Sequence, residues 1–482
     1  MSQKTSYLFS LPVLILLLFI SDFAEAQRRV VTYESLLMRD RQPNVFFDNN
    51  VFPPDEDNPK AAIQTGFTVE YNFLRFRRVR PTDNFDNDKQ FVTDVEITVD
   101  YFKLDGPPQP TERRSRWRSN DEPEDTGLRV GNRTWRNQVF AKTYEETQSR
   151  TRFLEGILHK DLEPGYYRLI ITLRADGRSR GNVTRIVNVP DFTKSERAQI
   201  YFLNSSEETD SPSTDRSLIN LGSIVHYGQD FSALIRLPET AAEDSILIRI
   251  NKVNISSRDT TMRQTVFEST FSPDEVLKAS SLRPENDALT ANVRINLDST
   301  AAKHHLLFSN IPNSSFPNSR YALQVLSKNE SGSKQIGQKF FENRWFDMPI
   351  SLLNIDVAIS MMRFIISEEE HAAMRRGSST EKEQKFREFW DARNPTPETE
   401  YNELMVEFFR RVDIAFERFT TPTTPGYETD QGRIFIRNGE PNRIDRRFPA
   451  NQPAVEVWHY GNRQFVFRAT TGFGDYELIE RR

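Results

Sequence analysis

The stretch FVTDVEITVDYFK, Phe91–Lys103, puts Val95, Ile97 and Val99 at every second position with charged or hydroxylated residues between them. Successive side chains of a strand point to opposite sides, so this spacing predicts a strand with one buried face. GFTVEYNFLRF, Gly66–Phe76, repeats the pattern with Phe67, Val69, Tyr71 and Phe73. Working outward, RTWRNQVFAKTYEE, TRFLEGIL, LEPGYYRLIITLRA and GNVTRIVNVPDF are short runs bounded by Gly, Pro or Asn/Asp turns. Strands at this spacing with no amphipathic helix between them predict an antiparallel sandwich of immunoglobulin-like type over residues 27–192.

Residues 193–347 continue in the same way through FSALIRLPE, SILIRINKV, ALTANVRINL and SRYALQVLSKN, and predict a second sandwich. The pattern does not separate two sandwiches from one larger β assembly. Within residues 105–126, Arg113, Arg114, Arg116 and Arg118 surround Trp117, but Asp121, Glu122, Glu124 and Asp125 follow at once and cancel the field. That interval reads as a polar hairpin loop, not a nucleic-acid patch.

At residue 348 the period changes. SEEEHAAMRR opens with a Ser367-x-x-Glu370 capping box, and STEKEQKFREFWDAR puts Phe386, Phe389 and Trp390 on one helical face. A third helix is expected from Thr396 as N-cap and Pro397 at its first position, with a stripe of Tyr401, Leu404, Met405, Phe408, Val412, Phe416 and Phe419. Beyond Pro422 and Pro425 the reading returns to strands: GRIFIR, then AVEVWHYGNRQFVFRATTGFGDYELIE with turns at Gly461-Asn462 and Gly472–Gly474. The expected fold class is mainly β with a smaller α+β C-terminal domain over 348–482: two sandwiches, three helices and a β-meander.

At 482 residues the chain exceeds one ordinary core. Its first 26 residues, with Lys4, the run YLFSLPVLILLLFI and the Ala-Glu-Ala before Gln27, read as a cleavable export signal. No later segment is apolar enough to predict a membrane helix. The chain has no cysteine, which excludes disulfides, thiolate chemistry and a lipid-modified N-terminal cysteine. A net charge of −5 does not imply a nucleic-acid partner. The expected location is therefore periplasmic, outer-membrane-associated or secreted, and not that of a lipoprotein.

Several separated segments also carry a resemblance. EFWDARNPTPETEYNE, PGYETDQGRIFIRNGEPNRI, VEVWHY, QFVFRA and GFGDYELIE together resemble the C-terminal GWxTD domain of exported bacterial proteins. The motif stands here as Gly426, Tyr427, Glu428, Thr429 and Asp430, with tyrosine where the family usually has tryptophan. The resemblance singles out Gly426, Tyr427, Thr429, Asp430, Gly432, Gly439, Pro441, Trp458, Tyr460, Gly474 and Asp475, and it implies no established activity.

Two roles compete for Asp430. As a general base or ligand it would need Glu440, Glu456 or His459 to converge on it. As a turn residue, it and Thr429 would bond to nearby backbone N–H groups beside glycine. His459 alternates with Trp458 and Tyr460 and should face away from both, and His304 and His305, adjacent on a strand, should not share one metal. No metal or cofactor is expected. The favoured reading is a non-catalytic protein presenting its surfaces to an envelope protein or glycan; the alternative is an envelope hydrolase with a carboxylate site around Asp430.

Overall fold

A computed structural model describes residues 31–40, 45–55, 58–80, 88–107, 127–205, 213–255, 260–285, 290–329, 332–397, 401–448, 452–470 and 475–481. The export signal, the Arg113–Arg118 cluster and Gly474 lie outside them. The chain forms two compact units: Pro43–Asp347, and Met348–Arg482 together with the N-terminal residues that include 31–40. Among the described residues no helix is long and apolar enough to cross a membrane. The protein is mainly β with a smaller α+β C-terminal part, as its sequence predicts.

Among the described residues the β unit contains four sheets. A three-stranded sheet runs β1 (Val45–Phe52), β2 (Ala61–Glu70), β6 (Phe153–Leu162). A five-stranded sheet joins β5 (Leu128–Ala141), β4 (Phe91–Leu104), β7 (Gly165–Ala175) and β8 (Arg178–Val189), with the short β3 (Arg77–Arg78) also on β4. The third sheet runs β10 (Ser213–Ser217), β16 (Asn292–Leu297), β15 (Leu277–Pro284), β17 (His304–Ile311), β12 (Phe231–Leu237), β9 (Gln199–Asn204). The fourth runs β11 (Ile224–His226), β19 (Gly332–Arg344), β18 (Ser319–Asn329), β13 (Ser245–Ile255), β14 (Thr260–Phe271).

Among the described residues three large apolar cores bind these sheets into a stack, with a smaller cluster of Phe46, Leu221 and Ile224 beside them. Val95, Ile97 and Val99 of β4 meet Phe67 and Val69 of β2 in the first core. Phe202, Ile235, Ile248 and Leu323 fill the last, between the six-stranded sheet and its five-stranded partner. Alternate residues of the two middle sheets fill the core between them: Phe52 and Ile157 on one side, Tyr201, Leu203, Leu234 and Leu306 on the other.

The two sandwiches are thus joined face to face, and β2 is buried on both faces rather than on one as the alternation suggests. The second face is covered, and polar groups pair across it. Thr68 donates its hydroxyl to the Asn220 carbonyl at 2.5 Å, the Asn220 amide donates to the Phe67 carbonyl at 3.0 Å, and Tyr201 donates to the Val51 carbonyl at 2.6 Å. Asp48 accepts the backbone N–H groups of Gly222 and Ser223 at 2.6 and 3.0 Å, holding a turn in which both residues have positive φ. Tyr71 and Phe73, expected to extend β2, instead form a tight helical turn after it ends at Glu70.

The second unit begins with a helix the sequence did not announce, α1 (Tyr33–Asp40), which belongs with the C-terminal chain and not with the β region to which 27–192 assigns it. Then come α2 (Ile355–Met361), α3 (Glu368–Met374), α4 (Ser379–Asp391), α5 (Glu403–Phe419) and α6 (Asp430–Asn438). An antiparallel meander follows, β20 (Arg443–Arg447), β21 (Val455–Tyr460), β22 (Arg463–Ala469), β23 (Tyr476–Arg481). Helices α3 and α4 carry complete capping boxes at Ser367 and Ser378.

Two expectations are corrected here. Helix α5 starts at Asn402, not Thr396: the Asn402 side chain accepts the Met405 N–H at 3.0 Å while its amide donates to the Trp390 carbonyl at 2.6 Å. Its buried face is Val406, Phe408, Phe409, Val412 and Ala415, and Leu404 is exposed. GRIFIR is helical, not a strand. Ile434, Phe435 and Ile436 are consecutive because α6 is enclosed on most of its circumference, where helical and strand spacing become indistinguishable.

Helix α1 docks through Tyr33, whose ring lies 4.8 Å from Phe416 and 5.6 Å from Tyr427. Tyr33 also bonds Asp413, which accepts the N–H groups of Ile350 and Ser351 at 2.6 and 3.3 Å. Burial pushes the Asp413 carboxyl from its ordinary 3.8 up to about 6, against the pull of these donors. The folded protein therefore holds a proton that the unfolded chain has lost between these values, so this stabilisation is complete below pH 3.8 and disappears as pH rises through 6. From pH 4.5 to 7 the loss amounts to about 2 kcal/mol. Urea midpoints of wild type should fall across that range, and Asp413→Asn should remove most of the fall.

Candidate functional site

The motif sits where α5 hands over to α6. Thr420 closes α5 by donating its hydroxyl to the Phe416 carbonyl, and the same hydroxyl accepts the Gly426 N–H at 2.9 Å. Gly426–Glu428 make one tight turn, after which the Thr429 hydroxyl donates to the Gly426 carbonyl at 2.8 Å and accepts the Gly432 N–H at 3.0 Å, capping α6. A Cβ on Gly426 would lie 2.0 Å from the Ala415 carbonyl oxygen, and one on Gly432 would lie 1.8 Å from the Gly426 carbonyl oxygen. Both glycines are needed because backbone passes against backbone.

Tyr427 is buried in an aromatic group with Tyr33, Phe364 and Phe416, and its hydroxyl donates to Glu34 of α1 at 3.0 Å. Burial, and then the Glu34 carboxylate, push its pKa upward. Asp430 opens α6, where a carboxylate also meets the positive end of the helix, and accepts the Leu478 N–H of β23 at 2.9 Å.

The groups proposed to converge with Asp430 are engaged separately. Glu456 is buried and accepts from Gln431 at 3.0 Å, Trp458 at 3.1 Å and Arg446 at 2.8 Å. Glu440 takes both its bonds from Arg418, at 2.7 and 2.9 Å. His459 pairs with Asp445 at 2.9 Å, and this contact, followed by Arg443, holds the Asp445 carboxyl below its usual range. Trp458 is core, against Phe419 and Phe467, and Tyr460 donates to the Gly439 carbonyl at 2.8 Å. Gly439 terminates α6 at φ 78°, Pro441 follows it before β20, and the Asp475 carbonyl accepts the Thr470 N–H at the last turn of the meander.

His304 and His305 also diverge. Arg236 donates to His304 at 3.4 Å, and burial lowers that imidazole to about 4, whereas His305 lies 3.3 Å from Glu239. Among the described residues no group of three His, Asp or Glu is placed to hold a metal ion.

Beside the motif is an open cleft of about 840 Å³ whose lining includes Tyr427, Glu428, Ser360, Arg363 and Arg375. Arg363 pairs with Glu428 at 2.7 Å and Lys382 with Asp356 at 2.7 Å.

Residues 320–480 match the family model of the GWxTD domain. The chain carries a GWxTD domain. The matched span takes in β18 and β19 as well as the helices and the meander. Comparison with curated proteins gives no match. Among solved structures, the C-terminal domain of the Streptococcus pyogenes antigen I/II-family protein AspA aligns with 62% of this chain and 100% of its own, at 6% identity and a TM-score of 0.14. The structure of manganese lipoxygenase of Gaeumannomyces graminis with part of zonadhesin of Komagataella pastoris aligns with 61% of this chain and 92% of that one, at 10% identity and a TM-score of 0.11. At such scores neither alignment bears on this protein.

Sequence reasoning missed Glu34, Asp413 and Gln431. Asp413 left a trace as an acidic residue between Val412 and Ile414 on an otherwise apolar helix side. For α6 the signal was present in full, a Thr cap before Asp430 and a glycine after Asn438.

Gly426→Ala and Gly432→Ala should each lower stability by about 3 kcal/mol or more through forced backbone displacement, while Gly106→Ala, with open space around it, should be near neutral in thermal denaturation. Asp430→Ala leaves the Leu478 N–H without its acceptor and should cost about 1–2 kcal/mol in the same measurement.

Proposed function

We propose that the protein is an exported cell-envelope protein that acts by binding an envelope protein or glycan, and that its GYETD motif is structural. The observation that carries this reading is the separate engagement of Asp430, Glu440, Glu456 and His459, each held by a different partner within the GWxTD domain. A general base needs a neighbour that tunes it and a free lone pair aimed at substrate. Asp430 instead ties the start of α6 to β23, Thr429 caps the helix, and Tyr427 clasps α1.

Export rests on the N-terminal apolar run and its Ala-Glu-Ala end, with no cysteine to anchor a lipid. Mass spectrometry of the native protein from an envelope fraction should find Gln27 as the first residue; a retained Met1 in a cytoplasmic fraction would refute export. A hydrolase screen of the full chain should find no activity that Asp430→Asn abolishes while the melting temperature is kept. Such an activity would replace this reading with the hydrolase.

A further inference from the structure

We propose that an arginine-rich corner of the β unit binds an anionic phospholipid surface, with Arg75, Arg78 and Arg178 reaching the headgroup phosphates. The proposal goes beyond the binding role above, adding a lipid surface to an envelope protein or glycan, and does not depend on it.

The corner is built from two segments of chain. Residues 73–80 run through the edge strand β3, and residues 174–180 form the turn between β7 and β8. Together they hold seven arginines and a single carboxylate, that of Asp176. The turn is a two-residue hairpin in which Asp176 and Gly177 have φ of 50° and 73°. A Cβ on Gly177 would meet nothing within 4 Å, so the tip stands in open solvent.

Two contacts lock the segments side by side. The Arg77 Nε pairs with Asp176 at 3.2 Å, and its other arm lies 3.7 Å from Asp94. Arg180 donates to the Phe73 carbonyl at 2.9 Å and lies 4.5 Å over the Phe73 ring. Burial, and then the Arg75 cation, lower the pKa of Arg180, so two like charges face each other at this lock. Holding them together costs free energy that a neighbouring anion offsets.

The arginines differ in what they already hold. Arg77 is neutralised as described, and Arg174 lies 3.7 Å from Glu96. Arg75, Arg78 and Arg178 are exposed and form no ion pair among the described residues. Of the acidic residues that follow in the chain, Asp88 turns to Lys142 at 2.7 Å, and Asp83 and Asp86 lie outside the described residues.

Guanidinium groups take phosphate oxygens in two-bond forks, and clusters of about four to eight basic residues at a bilayer bind its anionic lipids. Here the forks stand on a strand edge and a hairpin tip. A bilayer meets such a protrusion well because its headgroups move independently, each finding a guanidinium. A polymer with fixed charge spacing cannot adjust in that way.

The test is sedimentation of the full mature chain with vesicles of phosphatidylcholine, alone or with about 30% phosphatidylglycerol, in low salt and in about 0.5 M salt. The mixed vesicles should bind in low salt, with pure phosphatidylcholine and the high-salt sample at least about tenfold weaker. Replacing Arg75→Gln, Arg78→Gln and Arg178→Gln together should weaken binding by about tenfold or more. That variant should melt as wild type does, since none of the three arginines holds an ion pair. Arg320→Gln, Arg418→Gln and Arg468→Gln together make the same charge change at exposed arginines elsewhere and should bind as wild type does. Undiminished binding by the first variant, an equal loss in the second, no binding to the mixed vesicles, or equal binding to pure phosphatidylcholine would each overturn the proposal. So would displacement by inorganic phosphate at the concentration of lipid phosphate, which marks a free-anion site. Tighter binding to polygalacturonate than to the vesicles at equal charge would also overturn it, in favour of an anionic glycan. None of these results touches the export and hydrolase tests, so failure here is distinct from failure of the proposed function.

Discussion

The fold of the β unit depends on one constraint: a three-stranded sheet must bury both of its faces. A sheet that small has too little area on one side to hold a large core, and a chain without cysteine has no covalent staple to compensate. The solution is to sandwich it between two larger sheets, with Phe67 and Val69 turned one way and Phe52 and Ile157 the other. Once both faces are covered, every polar group on the second face needs a partner, because an unpaired buried donor or acceptor costs about 1–3 kcal/mol. Thr68, Asn220, Tyr201 and Asp48 supply such bonds across the junction, and so tie two sandwiches into one unit.

The GWxTD domain solves a different problem, the turning of a long helix into a short one without leaving polar backbone exposed in an apolar setting. Gly426 lets the chain double back against Ala415, and Gly432 lets α6 begin against the Gly426 carbonyl, at distances no side chain would tolerate. The hydroxyls of Thr420 and Thr429 then satisfy the backbone on either side of the turn. Tyr427 fills the space beneath the turn and reaches α1, so a helix from the start of the chain completes a core otherwise built from its end. The tyrosine hydroxyl has a use that an indole in its place would meet with a different geometry, since its acceptor, Glu34, is supplied by α1.

The polar groups of this domain are arranged as struts. Glu456 collects Gln431, Trp458 and Arg446, linking α6 with two strands of the meander, and Asp413 collects Tyr33 with the Ile350–Ser351 backbone. Buried carboxylates with several donors each rigidify a fold because removing any one partner strands a charge.

Much of this was legible beforehand. The two-residue alternation of Val95, Ile97 and Val99 gave the β class, the capping box at Ser367 and the shared face of Phe386, Phe389 and Trp390 placed two helices, and Gly461-Asn462 placed a turn of the meander, because each of these signals is local. The strand assigned to Ile434–Ile436 failed because three adjacent apolar residues carry no period, and only enclosure by α5 and the meander makes a helix of them. The start of α5 failed because Thr396 and Asn402 are both good caps, and the Asn402 bond to the Trp390 carbonyl, a contact beyond its own helix, decides between them. By itself, then, the sequence determined the kinds of element and their order, which follow from backbone preference and side-chain period. Tertiary structure alone decided that β2 is buried twice, that α1 belongs to the far end of the chain, and that Asp430 and Glu456 are apart in purpose, because these depend on which surfaces meet across hundreds of residues.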